Sequence, residues 1–327
     1  MVNVSNKLPY IHISKATNEI IKLIDNRRKG IIKSLKTRWP KLNRVCMGGI
    51  EANTIITIAG ISGSGKSSFL NSLETDLFDL NPKEDFVILS FNLEMLSSKQ
   101  VGRKLSKRLK KTTSELYSGM NSLSEETYQQ AVKAAEKIRE YPIYYVDMPG
   151  TVKEIENTII EFSSEPFIKG KWVIITLDHT LLINSTRGEE DRTKLAELQR
   201  MFMQMKKRGK NTIIQLSQMN REIEEAARIN NPQLHLPTRR DIFGGDSVYQ
   251  TSDYVMIIHR PETLNIKEYG IKREATKGKI FLHLIKNREG EVKVLRFIEN
   301  LKYNTIEEWN PKIQVSTKEN KDEKKQI

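Results

Sequence analysis

The sequence predicts an α/β fold with a mainly parallel central sheet flanked by helices. Short apolar runs alternate with helical patterns from about residue 39 onwards, as in sheets whose parallel strands are joined by helices. A glycine-rich loop also joins the first apolar run to a helical pattern, which is a known opening unit of such sheets.

The strands and helices are predicted from apolar periodicity. The strand runs are Thr54–Ala59, Phe86–Ser90, Ile143–Val146, Trp172–Leu177, Asn211–Leu216, Tyr254–Ile258 and Ile280–Ile285. The helical patterns include Ser67–Phe78, Glu125–Glu140, Val152–Phe162 and Arg192–Arg208. A further amphipathic helix is predicted over residues 15–29, and its apolar stripe needs a surface to pack against because a short isolated helix is marginal in water.

These patterns predict four segments. Residues 1–14 form a flexible arm, and residues 15–38 form a basic helix with its connection to the body. Residues 39–311 form the α/β domain. Residues 312–327 are polar and poor in apolar side chains, which predicts a disordered tail.

Positive charge is abundant and unevenly distributed. The 327 residues carry a net charge of +13, and residues 1–50 hold eleven Lys and Arg against two acids. The segment Lys99–Lys111 contains seven cations and no acid. Clustered cations suit a nucleic acid because binding releases condensed counterions. A solvated helix face or a contact between subunits is the alternative interpretation.

Composition also excludes several classes of protein. The sequence has no apolar stretch long enough to span a bilayer and no signal-peptide pattern, so no membrane partner is expected. One cysteine, Cys46, excludes an intramolecular disulfide framework and a cysteine-based metal cluster. The expected compartment is the cytoplasm, either of a bacterium or of a host cell if a phage encodes the chain.

The strongest motif is a glycine-rich phosphate-binding loop with the pattern GxxxxGKS. Its backbone N–H groups are expected to surround phosphates, Lys66 to contact the β- and γ-phosphates, and Ser67 to coordinate Mg²⁺. The motif therefore predicts ATP and Mg²⁺ as ligands. The predicted binding residues are Gly60, Ser62, Gly63, Ser64, Gly65, Lys66, Ser67 and Ser68.

Magnesium also needs a carboxylate at the end of a neighbouring strand, and two residues compete for this role. Asp178 ends the long apolar run that begins at Trp172, whereas Asp147 ends a shorter run that leads into a Pro-Gly turn. The longer run is typical of a central strand, so Asp178 is the predicted metal ligand. Asp147 is predicted to be a strand-end or turn residue.

Two polar side chains follow other predicted strands, where α/β proteins bind their ligands. Glu94 comes just after the second strand run and is a candidate to activate the attacking water. Gln218 follows the fifth run and is a candidate sensor of the γ-phosphate. The alternatives are a surface acid at Glu94 and an ordinary loop amide at Gln218.

Two cations lie near the tip of a predicted hairpin after the last strand run. Lys286 and Arg288 stand in the sequence Lys-Asn-Arg-Glu-Gly. An exposed arginine on a tight turn can reach the nucleotide of a neighbouring subunit, as arginine fingers do. The alternative is that these cations only keep the surface soluble.

In order along the chain, these segments resemble the motor domain of DnaB-type replicative DNA helicases, including phage members. Ser90–Met95 resembles the family's SLEM segment, and Leu216–Arg221 is close to its LSQLNR segment. Leu177–Leu182 resembles the metal-binding strand end, and Lys286–Gly290 matches a K-x-R-x-G finger. Ser247, Gln250 and Asp253 fall on the GSIEQDAD segment. The resemblance covers about residues 15–310.

The resemblance implies a RecA-like domain in a hexameric ring, with ATP between subunits and single-stranded DNA in the channel. It implies 5′-to-3′ translocation, water activation by Glu94, γ-phosphate sensing by Gln218, and a finger formed by Lys286 and Arg288 for the neighbour's site. The basic helix at residues 15–38 resembles the linker that grips the next subunit. A helicase loader or a primase is an expected partner.

The sequence departs from the family in several places. Phe91 and Asn92 alter the SLEM wording, and His179 and Thr180 replace the usual residues after Asp178. Residues 243–246 replace the usual DNA-contacting sequence, and Arg239 and Arg240 just upstream are candidates to substitute for it. The alternative is that these two arginines are only an exposed charge pair. About fourteen residues precede the linker, where the family normally has a primase-binding helical domain. A short phage-type member without that domain is therefore expected.

Two other classes share the loop and the sheet. One is a RecA-like ATPase that does not unwind DNA, such as a recombination mediator or a KaiC-like switch. The other is a replication or packaging assembly protein whose ring is only shaped by ATP.

Overall fold

The structure, a computed structural model, describes residues 10–120, 122–185, 190–231 and 234–310. The chain divides into two compact units, Met1–Ser34 and Leu35–Ile327. The predicted tail at 312–327 lies outside the described residues, as do residues 1–9 of the predicted arm.

The first unit contains one helix, α1 (Ile13–Arg28), among its described residues. The Nδ1 atom of His12 accepts a hydrogen bond from the Ser14 amide at 3.2 Å and caps the start of the helix. Ile20, Ile21 and Ile24 are exposed along it. The predicted amphipathic helix is therefore confirmed.

The second unit is an α/β domain. Its helices are α2 (Pro40–Val45), α3 (Lys66–Leu80), α4 (Ser97–Leu109), α5 (Thr113–Tyr117), α6 (Glu125–Arg139), α7 (Val152–Ser164), α8 (Asp191–Arg208), α9 (Ala226–Ile229) and α10 (Gly245–Thr251). Its strands are β1 (Ile55–Gly60), β2 (Phe86–Asn92), β3 (Ile143–Val146), β4 (Trp172–Asp178), β5 (Asn211–Gln218), β6 (Tyr254–His259), β7 (Glu268–Tyr269), β8 (Glu274–Ala275), β9 (Lys279–Asn287), β10 (Lys293–Asn300) and β11 (Thr305–Glu308). Short 3₁₀ turns include Thr180–Leu182 and Leu301–Tyr303.

Within the described residues, the main sheet has nine strands in the order β11-β10-β9-β6-β1-β5-β4-β2-β3. The strands from β6 to β3 in this order pair in parallel, whereas β9, β10 and β11 pair antiparallel. The predicted mainly parallel fold and all the predicted strands are confirmed. The carboxyl ends of the parallel strands share one edge, which we call the carboxyl edge, and the opposite edge is the amino edge.

Two apolar layers cover the faces of the sheet, because successive side chains of a strand point to opposite faces. On β1, Ile56 and Ile58 pack with Phe69 and Leu73 of α3 on one face. Side chains of α7 and α8 cover the other face, where Ile55 is buried.

An irregularity in β9 changes which face its last residues occupy. Val255 of β6 pairs with Lys286, but Met256 pairs with Leu284, so Ile285 is an extra residue in β9. Leu284 packs in the core layer that contains α3, whereas Ile285 packs against the apolar cluster that includes Val248 of α10.

Polar contacts fasten α4 along α3. Asn71 donates to the Gln100 side chain at 2.7 Å. One turn further, Lys104 pairs with Glu74 at 2.7 Å, and its side chain is fully buried. Lys107 pairs with Asp76, and Arg108 pairs with Asp79. Most cations of the basic run at 99–111 thus form ion pairs within the domain, so the run does not present a free cationic face.

Candidate nucleotide-binding site

The glycine-rich loop lies at the carboxyl edge, between β1 and α3. A Cβ on Gly60 would lie 2.5 Å from Ser64 Oγ and 2.7 Å from the Ile258 carbonyl oxygen, so only glycine fits there. Gly65 has a φ of 101° and stands immediately before α3, a conformation that favours glycine. The loop thereby turns tightly into the amino end of a helix, which is where phosphates bind.

Two side chains of this loop are buried beside it. Ser64 Oγ is buried without a hydrogen-bond partner among the described residues. Lys66 Nζ donates to the carbonyls of Gly60 and Ile61, both at 2.8 Å. Burial lowers the pKa of Lys66 to about 8, although Asp178 and Glu94 oppose the shift. A polyanion would restore the charge balance around this ammonium group.

Asp178 is the last residue of β4 and is buried. Burial raises its pKa to about 6, while Ser67, within hydrogen-bonding reach, lowers it. The predicted proximity of Asp178 and Ser67 is therefore present. The expectation of a directly neighbouring strand is wrong, because β5 lies between β1 and β4. The two residues meet because parallel strands end at the same edge.

Asp147 has a different role. Its Oδ2 atom accepts a hydrogen bond from the Ser97 amide at 3.0 Å, at the start of α4. It follows β3, which forms one margin of the main sheet. The placement agrees with the prediction of a strand-end residue.

The loop opens into a polar cleft of about 250 Å³. The cleft is lined by Ser62, Gly63, Gly65, Lys66, Ser67, Ser68, Glu94, Arg103, His179, Gln218 and Leu301. Glu94 is exposed just beyond β2, and Gln218 ends β5, beside Gly60 of β1. The sheet thus brings the predicted water-activating and sensor residues to the phosphate loop.

Lys286 and Arg288 do not reach this cleft. Because β9 runs antiparallel to β6, they lie at the amino edge, opposite the phosphate loop. The six residues of β1 separate the two edges by roughly 17–20 Å. Lys286 donates to the carbonyls of Tyr249 and Gln250, and Arg288 lies 3.3 Å from Asp253, measured between Nε and Oδ1.

Three cleft residues were not predicted as site residues. Arg103 lies within the basic run of α4, among residues of the same charge. His179 differs from the residue that the family usually has at this position. Leu301 follows β10, which was itself not predicted, and its side chain lies 3.1 Å from the position of a Cβ on Gly65. Burial lowers the pKa of His179. No sequence signal could have singled out Arg103, because the neighbouring Lys104, Lys107 and Arg108 carry the same charge.

The cleft fits a nucleoside polyphosphate with a divalent cation. Asp178 Oδ1, like Ser64 Oγ, is a buried polar atom without a partner among the described residues. Such orphaned atoms cost free energy unless a ligand completes them. A carboxylate and a hydroxyl are oxygen ligands of the kind that Mg²⁺ prefers, so Asp178 and Ser67 would hold the ion.

Comparison with known proteins agrees with this geometry. The model of the DnaB-like helicase C-terminal domain family matches residues 34–308. This chain belongs to that family. The match contains the whole sheet, the phosphate loop and the hairpin that carries Lys286 and Arg288. The resemblance to DnaB-type helicase motors is therefore confirmed.

Curated members of the family include replicative DNA helicases named DnaB. The protein of Buchnera aphidicola subsp. Baizongia pistaciae is 26% identical over 245 residues, which are 74% of this chain and 50% of that protein. The protein of Leifsonia xyli subsp. xyli is 24% identical over 292 residues, which are 88% of this chain and 59% of that protein. The chain thus spans about half the length of these relatives.

Solved structures share the fold of this family member. The ATPase domain of G40P has a TM-score of 0.78 at 17% identity, over 92% of this chain and 100% of that one. A DnaB-like replicative helicase, described with its primase interactions, has a TM-score of 0.74 at 16% identity, over 94% of this chain and 69% of that one. The KaiC-like protein PH0186 of Pyrococcus horikoshii OT3 has a TM-score of 0.52 at 15% identity, over 85% and 100%.

Proposed function

We propose that this chain is the ATP-driven motor of a replicative DNA helicase. The observation that carries the proposal is the division of its candidate catalytic residues between two edges of one sheet. Lys66, Ser67, Asp178, Glu94 and Gln218 meet at the carboxyl edge, whereas Lys286 and Arg288 lie at the amino edge. Lys286 and Arg288 can therefore act on a bound nucleotide only if they come from a second copy of the chain. A ring of subunits provides such an arrangement.

Each residue of the cleft has a distinct task in this proposal. Loop amides and Lys66 hold the phosphates, and Asp178 and Ser67 hold Mg²⁺, which when bound neutralises phosphate charge. Glu94, which is exposed and close enough to Lys66 to affect its pKa, accepts the proton of the attacking water. Gln218 hydrogen-bonds the γ-phosphate. Its backbone carbonyl accepts from the Phe243 amide at 3.0 Å, so its movement would pull on the segment at 243–246.

The proposed assembly is a homohexamer in which α1 serves as the linker. Its exposed isoleucines need an apolar partner, and its last turn carries Arg27 and Arg28. Lys286 and Arg288 then act on the nucleotide of the adjacent subunit. The resemblance supplies the ring size and the 5′-to-3′ direction.

Single-stranded DNA is the proposed polymer substrate. Arg192, Arg239 and Arg240 line a polar cavity of about 510 Å³ together with Phe243 and Gly244, the segment that replaces the family's DNA-contacting sequence. Arginines that line such a cavity suit a phosphate chain that is gripped without reading its sequence.

A loader or primase remains a proposed partner, and the bacterial or host cytoplasm is the proposed compartment. No helix in the described part of the chain is long and apolar enough to cross a membrane.

The test measures ATPase with and without single-stranded DNA, and strand displacement on a forked duplex, for wild type and Lys66→Ala. We expect DNA to stimulate ATPase and ATP to drive displacement, with both lost in the variant. ATPase that ignores DNA, in a protein that displaces no strand, would indicate the KaiC-like or assembly class instead. Reversing the tailed strand of the fork measures polarity.

A further inference from the structure

Asn92 is a buried polar residue at the end of β2 that has no part in the proposed chemistry. It is 3% exposed and lies two residues before Glu94. Its Nδ2 atom, a hydrogen-bond donor, is buried without a partner among the described residues. A buried donor of this kind costs free energy until an acceptor completes it, so a matching acceptor should lie close by.

Asp178 provides such an acceptor. Asn92 and Asp178 are directly paired in the parallel register of β2 and β4. The strands are still joined one residue further on, where the Leu93 amide donates to the Asp178 carbonyl at 2.9 Å. Neighbouring strands lie about 5 Å apart, so paired side chains on one face can reach each other. Asp178 Oδ1 is itself a buried acceptor without a partner among the described residues.

Contacts two positions earlier show which face the pair occupies. Ser90 of β2 and Thr176 of β4 both donate to Glu74 of α3, at 2.9 Å and 3.0 Å. Because side chains alternate between the two faces of a sheet, Asn92 and Asp178 leave this same face. An unpartnered donor and an unpartnered acceptor therefore lie on adjacent strands, on the face that the phosphate-loop helix covers.

The other end of the Asn92 amide is already fixed. Ser90 Oγ lies 3.1 Å from Asn92 Oδ1 and donates to it. Ser90 also contacts Glu74, which pairs with the buried Lys104 at 2.7 Å. The amide oxygen is thus held by the polar network between α3 and the sheet, while the amide nitrogen remains available for a different group.

We propose that Asn92 positions the metal ligand: its Nδ2 donates to Asp178 Oδ1, which directs the other carboxylate oxygen towards Mg²⁺ and Ser67. The inference rests on the proposed ATPase function and adds a residue beyond the metal's own ligands. Hydrogen bonds of this kind orient ligating side chains, and losing one lowers metal affinity about 10- to 100-fold. Asn92 itself touches neither the metal nor the nucleotide, so binding of metal-free nucleotide should not depend on it.

The test measures binding of a fluorescent, non-hydrolysable ATP analogue while Mg²⁺ is titrated, and again with the metal chelated. Asn92→Leu keeps a branched side chain but lacks the amide. It should need about 10- to 100-fold more Mg²⁺ to half-saturate the complex with the analogue, and should bind the metal-free analogue as wild type does. Electron paramagnetic resonance of Mn²⁺ in place of Mg²⁺ should show a changed ligand geometry.

Asn211→Leu is the matched control. Asn211 begins β5 at the amino edge, is buried, and donates through its amide to the Met205 carbonyl at 2.8 Å. The variant removes the same chemical group from a strand end that lies away from the cleft. It should melt earlier than wild type yet keep the wild-type Mg²⁺ requirement, which separates lost stability from lost metal positioning.

A folded Asn92→Leu with the wild-type Mg²⁺ requirement would overturn the inference, as would an equal loss of analogue affinity with and without the metal. If Asn92→Leu does not fold, Asn92→Ser and Asn92→Ala decide instead, because only serine keeps a donor. Asn92→Ala should then need more Mg²⁺ than Asn92→Ser, and equal requirements would refute the role.

Failure of the proposed function looks different, since wild type itself would then lack DNA-stimulated ATPase and strand displacement whatever its affinity for Mg²⁺. A wild type that is active beside an unaffected Asn92→Leu removes only this inference.

Discussion

Lys104 Nζ lies 2.7 Å from Glu74 Oε2, and both side chains are buried between α3 and α4. The same carboxylate accepts hydrogen bonds from Ser90 at 2.9 Å and from Thr176 at 3.0 Å. The pair thus joins the phosphate-loop helix to β2 and β4, the strands that precede Glu94 and carry Asp178. In a buried pair of this kind, each charge is tolerated only because the opposite charge beside it compensates for the lost hydration.

Lys104→Met should therefore destabilise the domain by about 3–5 kcal/mol, because it leaves the Glu74 carboxylate buried without its cation. Urea unfolding followed by circular dichroism measures the change. The double variant Lys104→Met/Glu74→Gln is the control, and it should recover part of the loss by removing the stranded charge. A cost below about 1 kcal/mol for the single variant, typical of an exposed pair, would contradict the buried network.

Gly60→Ala should abolish nucleotide binding, because its Cβ would lie 2.7 Å from the backbone oxygen of Ile258, which cannot swing aside as a side chain does. Gly63→Ala is an informative comparison. Gly63 has a φ of 72° with no atom within 4 Å of its Cβ, so the substitution adds conformational strain of about 1–2 kcal/mol without a clash. Thermal melting should rank Gly60→Ala well below Gly63→Ala. Equal melting temperatures would show that the loop relaxes around the added methyl group.

Glu94→Gln should retain ATP affinity while lowering the single-turnover hydrolysis rate about 10²- to 10⁴-fold, because the amide cannot accept the water's proton. Asp147→Asn is the matched control. Its carboxylate accepts from the Ser97 amide rather than facing the cleft, and the amide oxygen can accept the same bond. Normal hydrolysis by Glu94→Gln would refute the base assignment.

Arg288→Ala should bind ATP nearly as wild type but lose about 10³- to 10⁵-fold in ATPase rate. Lys66→Ala should also be inactive, because it lacks the ammonium group that contacts the phosphates. Mixing the two inactive proteins should restore measurable ATPase, because some interfaces combine an intact loop from one chain with an intact Arg288 from the other. A mixture that stays inactive although fluorescence shows subunit exchange would exclude a site shared in this way.

Acid should destabilise the domain through a buried histidine cluster. His235 Nδ1 lies 3.1 Å from His259 Nε2, and His283 Nε2 lies 2.9 Å from the Tyr269 hydroxyl. Burial lowers the pKa of His283 to about 4 and that of His259 well below its usual value.

Since unfolded histidine titrates near 6.5, the unfolded chain binds protons that the folded chain does not as the pH falls from about 6.5 towards 4. Stability is thus full above about pH 6.5 and declines below it. His283→Gln should flatten that decline by up to about 1.4 kcal/mol per pH unit in urea unfolding. The control is His12→Asn, at an exposed position. An unchanged slope in His283→Gln would show that the cluster is protonated without cost.

The sequence predicted the parts of this protein that local chemistry determines. The phosphate loop between β1 and α3 follows from its glycines and Lys66, and β4 follows from an apolar run that needs burial on both faces. β10 was not predicted because charged residues interrupt its apolar alternation, and β11 has four residues. Their strand character comes from pairing with β9 and with each other.

Within the cleft, spacing predicted Glu94, Asp178 and Gln218 because each follows or ends a strand run. It did not predict that β5 separates β1 from β4, because strand order is a tertiary property. Arg103 could not be distinguished from Lys104, Lys107 and Arg108 because charge alone does not show which cations have partners. Only the acids presented by α3 make that distinction.

The extra residue Ile285 places two consecutive side chains, its own and that of Lys286, on one face of the sheet. In a regular strand Lys286 would share the face of Leu284, over the α3 layer, because side chains alternate. With the insertion it lies beside Tyr249 of the α10 region. Because the pairing with Val255 sets the face, deleting Ile285 would keep Lys286 on the α10 side and remove only an apolar contact. The irregularity therefore lets two consecutive side chains, one apolar and one cationic, serve the same face of the sheet.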